Sequence, residues 1–104
     1  MRKYNHVGII TNDEKEGAMF NEALSVWLTD PGKSPNSIEF LKFVEGSCMH
    51  ELIQKVTHIA YEVSSLEAEL KNAKVLFEPF VCNEHLTIAF IEEEGIPLEL
   101  MEFK

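Results

Sequence analysis

The chain has few basic residues, few cysteines and no long apolar run. Only 9 of its 104 residues are Lys or Arg, against 18 Asp or Glu, and the formal net charge is −9. Binding to the phosphates of nucleic acid or of an anionic membrane depends on clustered Lys and Arg, so we expect neither partner. The two cysteines, Cys48 and Cys82, are too few for a disulfide scaffold.

No apolar run approaches the length of a membrane span, and the first residues, MRKYNHVGII, are too polar for a signal peptide. We therefore expect a cytoplasmic protein with reduced thiols. Apolar residues make up 45% of the chain, which is typical of a globular fold. The length is that of a single domain, which we place at residues 1–104.

Alternating apolar and polar residues predict more strand than helix. Two helices are expected, one over residues 12–25 with Asn12 as its N-cap, and one over residues 64–73 with a capping box from Ser64 to Glu67. A short helix or turn is expected over residues 48–54. Strands are expected at 4–11, 26–30, 37–43, 57–63, 74–80, 86–93 and 96–103.

The two halves of the chain repeat the same signals. NHVGIIT, residues 5–11, and THIAYEV, residues 57–63, each place a histidine before an apolar run with a small residue two positions later. Each half ends in a strand with a glutamate between apolar residues, SIEFLKF and PLELMEF. Internal duplication explains this repeat. It divides the chain into module one, about residues 1–54, and module two, about residues 55–104. The histidine and the glutamate are 33 residues apart in the first half and 41 in the second, so we predict that module one is one strand short.

Four side chains occupy equivalent positions in the two modules. His6 and His58 begin equivalent strands, and Glu39 and Glu99 lie within equivalent final strands. A carboxylate inside an apolar strand is costly to bury unless a cation or hydrogen-bond donors meet it. Alone, each residue has an ordinary explanation: a hydrogen-bonded histidine or a solvent-facing glutamate. The paired occurrence favours a metal or catalytic cluster formed by all four.

Several longer stretches carry a family resemblance. HVGIITND, THIAYEVSSLEAELK, VLFEPF and TIAFIEEEGIPLELMEF together resemble the vicinal oxygen chelate superfamily, which includes glyoxalases, bleomycin-resistance proteins and extradiol dioxygenases. The resemblance extends over residues 56–104 and is thinner over residues 4–44. It implies an α+β fold in which paired βαβββ modules form an open, curved sheet cup.

The resemblance also implies a site and a chemistry. His6, Glu39, His58 and Glu99 match the metal ligands of such proteins, and the implied cofactor is a divalent ion, Zn, Ni, Co, Mn or Fe. Glu99, with Glu39 as its counterpart, is the implied catalytic base. The expected function is that of a glyoxalase-like lyase, isomerase or epimerase, acting on a small oxygen-rich substrate through metal-stabilised enolate chemistry. Dimers are common in this family, so a homodimer is expected.

Two alternatives remain open at this point. One is a non-enzymatic protein that sequesters a small molecule in the cup, as bleomycin-resistance proteins do, and the net charge of −9 would suit a cationic ligand. The other is an Fe(II) extradiol-type dioxygenase, which uses two histidines and one glutamate. The presence of Glu39 as a fourth ligand counts against that second alternative.

Overall fold

The computed structural model describes residues 1–104, which form one eight-stranded sheet with two short helices. In chain order the elements are β1 (Lys3–Ile10), β2 (Met19–Asn21), β3 (Val26–Leu28), a 3-10 helix (Pro31–Lys33), β4 (Ile38–Phe43), α1 (Glu51–Lys55), β5 (His58–Glu62), α2 (Leu66–Leu70), β6 (Lys74–Asn83), β7 (Leu86–Glu93) and β8 (Ile96–Phe103). Neither α1 nor α2 has the length and apolar character that a membrane-spanning helix requires.

The strand order repeats between the two halves of the chain. Across the sheet the order is β2-β3-β4-β1-β5-β8-β7-β6. In each half the first strand pairs in parallel with the last one, β1 with β4 and β5 with β8, and β1 and β5 then join the halves antiparallel. The sheet curls into an open half-barrel, so the expected α+β class and curved sheet cup are confirmed.

Side chains on the two faces of the sheet form two separate apolar clusters. The inner, concave face contributes Val26, Leu41, Ala60, Phe90 and Met101, and it is covered by Met49 and by Ile53 of α1. On the outer face of module two, Ala89, Ile91, Leu98 and Leu100 pack against Leu66 of α2. These alternating positions on β7 and β8 explain why both strands are apolar along most of their length.

The helix expected over residues 12–25 is wrong. Gly17 in the middle of that segment has a φ of 82°, which an α-helix does not accommodate, and Ser25 has a φ of 53°. Residues 19–21 instead form β2, which pairs with β3 as a hairpin. Asn21 Oδ1 accepts a hydrogen bond of 3.0 Å from Leu24 N–H within the connecting turn.

Module one therefore does not lack a strand; it lacks a helix between its first two strands. Its four strands match the four of module two in number and order, but β2 and β3 are three residues long. In module two, α2 lies over residues 66–70 rather than 64–73. Its N-cap is Ser65, whose side chain accepts a hydrogen bond from Ala68 N–H, rather than Ser64. Strand β6 extends three residues beyond the expected end, to Asn83.

Candidate metal centre

The four side chains singled out in the sequence meet at the middle of the sheet's inner face. They lie on four adjacent strands: Glu39 on β4, His6 on β1, His58 on β5 and Glu99 on β8. One ligand-competent atom from each lies within 4.8 Å of the corresponding atom of the others. The site therefore draws one histidine and one glutamate from each module.

Strand register explains how the sheet accommodates this cluster. Gly8 of β1 is paired with Glu39 on one side and with His58 on the other, whereas Ala60 of β5 is paired with His6 and Glu99. Each small residue thus lies between a glutamate of its own module and the histidine of the other. A Cβ on Gly8 would come within 2.5 Å of both ring nitrogens of His58. The small residue two positions after each histidine makes room for the opposite module's imidazole.

The distances suit a single ion. His6 Nε2 lies 3.5 Å from Glu39 Oε1 and 3.3 Å from Glu99 Oε1. His58 Nε2 lies 3.8 Å and 3.1 Å from the same two atoms. Ligand bonds of roughly 2.0–2.2 Å around a divalent ion place neighbouring donor atoms roughly 3–4 Å apart. Two neutral imidazoles and two carboxylates also balance a 2+ charge, so these four residues could hold a metal ion.

An unpartnered buried nitrogen supports that assignment. His6 Nδ1–H donates a 2.6 Å hydrogen bond to Asn5 Oδ1, and Asn5 Nδ2–H donates one of 2.9 Å to Glu62 Oε2. These two hydrogen bonds place the proton of a neutral His6 on Nδ1 and leave the lone pair on Nε2. Nε2 is buried, faces both site carboxylates and has no hydrogen-bond partner. A metal ion would satisfy that atom.

The two histidines differ in their surroundings. His58 is fully buried, and its ring packs edge-on against Phe90 with centroids 5.3 Å apart. Its Nε2–H donates a 3.1 Å hydrogen bond to Glu99 Oε1, whereas its Nδ1 is buried without a partner. Only the module-one histidine has an orienting group behind it. The Asn5–Glu62 pair was not anticipated from the sequence, although an asparagine next to a candidate histidine ligand is a usable signal.

The ionisable groups of the site shift one another's pKa values. Burial lowers the pKa of His6, but the facing carboxylates of Glu39 and Glu99 outweigh it and raise that pKa to about 9. Burial alone would raise the pKa of Glu99, yet the adjacent imidazoles of His58 and His6 lower it to about 2. Burial raises the pKa of Glu39, against the opposing effect of His6. Glu99 is therefore the firmly ionised carboxylate of the pair.

The space beside the cluster is small. A cavity of about 50 Å³ is bordered by Glu39, His58 and Glu99 and by apolar side chains that include Met49 and Phe90. It has room for one or two water molecules, or for the few atoms at one end of a small substrate. Phe103, at the end of β8, is 51% exposed and lies outside it. His50 caps α1 and His85 is exposed, so neither joins the site.

Comparison with known proteins identifies the fold. No protein-family model matches the chain, and no curated protein matches it. Among solved structures, the crystal structure of the hypothetical protein BH1468 from Bacillus halodurans C-125 is similar, with a TM-score of 0.67. The similarity covers 99% of this chain and 95% of that one, at 19% sequence identity. At this identity the comparison shows that the two proteins share a fold.

Proposed function

We propose that this protein is a glyoxalase-like member of the vicinal oxygen chelate superfamily that binds a divalent metal ion and acts as a lyase, isomerase or epimerase. The observation behind this proposal is the convergence of His6, Glu39, His58 and Glu99 from both modules at distances that one ion can bridge. Zn, Ni, Co, Mn and Fe(II) all accept such nitrogen and oxygen ligands. A bound ion supplies a Lewis acid that favours loss of a proton from a carbon next to a carbonyl group.

We assign proton transfer to Glu39 in preference to Glu99. The Glu39 side chain is 15% exposed against 9% for Glu99, and its nearest imidazole nitrogen is 3.5 Å away rather than 3.1 Å. The pKa of Glu39 is raised by burial, and a base works best when its pKa approaches the working pH. Glu99, whose pKa is lowered by both histidines, is better suited to remain an anionic ligand.

The small volume of the cavity restricts which substrates fit. Only a few atoms can enter about 50 Å³ beside Glu39 unless Met49, in the segment between β4 and α1, moves aside. We therefore propose a small substrate with neighbouring oxygens. The same restriction counts against sequestration of an organic ligand inside the cup. The fourth ligand, Glu39, counts against a dioxygenase of the two-histidine, one-glutamate type.

Metal content tests the first half of this proposal. The purified chain is loaded with zinc or nickel, passed through gel filtration and measured by elemental mass spectrometry. We expect a single ion in the wild type, loss of that ion in His58→Ala and Glu99→Ala, and full retention in His85→Ala, whose histidine is exposed. Equal metal content in all four proteins would overturn the assignment of the site.

Proton exchange tests the second half separately. Small carbonyl compounds such as methylglyoxal and hydroxyacetone are incubated in heavy water and followed by proton NMR. We expect loss of the signal next to the carbonyl with the metal-loaded protein, and a decrease of at least about tenfold in rate for Glu39→Gln, the size typical of a lost general base. Matching rates for Glu39→Gln and Glu45→Gln, an exposed control, would reject the catalytic role and leave the metal site standing.

A further inference from the structure

A second cavity lies on the opposite face of the sheet from the metal centre. In module two that outer face is covered by α2, whose Leu66 is buried against β7 and β8. In module one the connection between β1 and β2 has no helix, and the outer face of β3 and β4 remains partly open. A cavity of about 290 Å³ occupies this position.

Two aromatic side chains line this cavity. Trp27 of β3 and Phe40 of β4 both point outward, since their neighbours Val26 and Leu41 belong to the inner cluster. Trp27 is 41% exposed, which is high for the only tryptophan of the chain. A large, half-open aromatic surface of this kind favours a planar partner.

Two ammonium groups converge on the same cavity. Lys42 is the register partner of Trp27 on the outer face, and the Lys15 ammonium lies 4.3 Å from the centre of the Phe40 ring. Neither lysine forms an ion pair, in a chain where carboxylates outnumber basic groups two to one. Both lysines are half-buried, which makes unpaired cationic groups here costly without an anion.

The remaining polar groups add donors at the inner end and carboxylates at the rim. Thr11 and Thr29 already accept hydrogen bonds from the backbone N–H groups of Asp13 and Phe40, so both hydroxyl protons remain free to donate. The carboxylates of Asp13 and Glu14 also border the cavity, but both residues are exposed. Negative charge is therefore favoured within the cavity and disfavoured at its mouth.

We infer that this outer cavity of module one binds a small planar anion of the aromatic carboxylate class. The ring lies against Trp27 and Phe40, and the carboxylate accepts hydrogen bonds from Lys15, Lys42 and the threonine hydroxyls. The volume of about 290 Å³ accommodates a single substituted ring. This site is separate from the metal centre and does not depend on the function proposed for it, although Phe40 and Glu39 are adjacent on β4.

A charge series of identical shape tests the inference. Benzoate, benzamide and benzamidine are titrated into the full-length protein, and the indole N–H resonance of Trp27 is followed by two-dimensional NMR. We expect benzoate to shift this resonance saturably and to bind at least about fivefold more tightly than benzamide, as one charge-assisted hydrogen bond provides. Benzamidine should not bind. Equal binding of all three, or no shift at millimolar benzoate, would overturn the inference.

Variants locate the anion within the cavity. Lys42→Gln and Lys15→Gln should each weaken benzoate binding by about fivefold and leave benzamide unaffected, whereas Lys71→Gln, at an exposed position outside the cavity, should change neither. None of these three lysines belongs to either apolar cluster, so the substitutions leave the core intact, and circular dichroism checks folding. Unchanged benzoate affinity in both cavity variants rejects the site, as does a Trp27 shift that follows protein concentration instead, because a second copy would then cover this face.

Discussion

The two modules share an inner face and differ on the outer one. Both have the same strand order, and each contributes one histidine, one glutamate and one small residue to the cup. In module two, α2 follows the first strand, and β6, β7 and β8 are 8 to 10 residues long. In module one, no helix lies between β1 and β2, and β2 and β3 have three residues each. The duplicated unit has kept the residues that form the site while its covering has diverged. A metal site constrains a few inward positions, whereas the outer face only needs to be covered or put to another use.

The largest expected effect compares the two outer faces. Leu66→Ala removes a side chain buried under α2 and should lower the free energy of unfolding by about 3 kcal/mol, from lost transfer energy and a residual cavity. Phe20→Ala on module one, where the ring is 42% exposed, should lower it by less than about 1 kcal/mol. Urea denaturation measures both. Similar losses would mean that the outer face of module one is packed as tightly as that of module two.

The next effect compares the small residues of the inner face. Gly8→Ala places a Cβ against the His58 imidazole and should destabilise the protein by about 2 kcal/mol while displacing the ring from the site. Ala60→Gly, at the equivalent position, adds no atom and should cost only about 1 kcal/mol through backbone entropy. Unfolding and metal content together distinguish the two. Retention of metal by Gly8→Ala would show that His58 is not held against the strand.

A third comparison concerns the pH dependence of stability with and without a bound metal ion. Because the pKa of His6 in the folded, metal-free protein is raised from 6.5 to about 9, its stabilising contribution is complete below about pH 6.5 and is lost as pH rises through about 9. Metal binding requires the same proton to leave, so metal affinity rises over that range. We expect the melting temperature to fall between pH 6.5 and 9 with chelator and to rise with zinc.

The contribution of Glu99 to stability has the opposite pH dependence and changes over a different pH range. The pKa of Glu99 is lowered to about 2, so its contribution is present above about pH 4.5 and is lost as pH falls through about 2. His6→Gln should flatten the alkaline slope of the chelated protein, whereas the acid limb should keep only the part of the Glu99 shift that His58 supplies. Parallel slopes with zinc and with chelator between pH 6.5 and 9 would contradict proton–metal competition at His6.

The smallest expected effect is at the surface contact between the modules. Arg2, just before β1, pairs with Glu69 of α2 at 3.1 Å and with Glu93 of β7 at 2.8 Å. Both partners belong to module two, but these groups are partly exposed and solvent screens them. Arg2→Gln should lower the free energy of unfolding by less than about 1 kcal/mol, and less still in high salt. A loss that persists in high salt would indicate that Arg2 contributes through packing on Tyr61, which lies 5.9 Å from its guanidinium.

The sequence predicts an element well where local interactions determine it, and poorly where pairing between distant segments does. THIAYEV, LTIAFIEE and IPLELMEF are short, largely apolar runs that predict strands, because both faces of these strands are largely buried, and module two folds accordingly. Residues 12–25 have a local pattern typical of a helix, yet pairing of β2 with β3 determines their structure. Local propensity is a weak preference, and tertiary pairing outweighs it where Gly17 already interrupts the helix.

The amino-acid sequence by itself determined which four side chains would meet, because the duplicated His-x-small pattern and the paired glutamates repeat wherever the same strand repeats. Only the tertiary structure decided that Gly8 makes room for the histidine of the other module, that Asn5 and Glu62 orient His6, and that the outer cavity exists. The reason is physical: side-chain alternation is a property of one strand, whereas register, burial and cavity volume are set by strands that are distant in the chain.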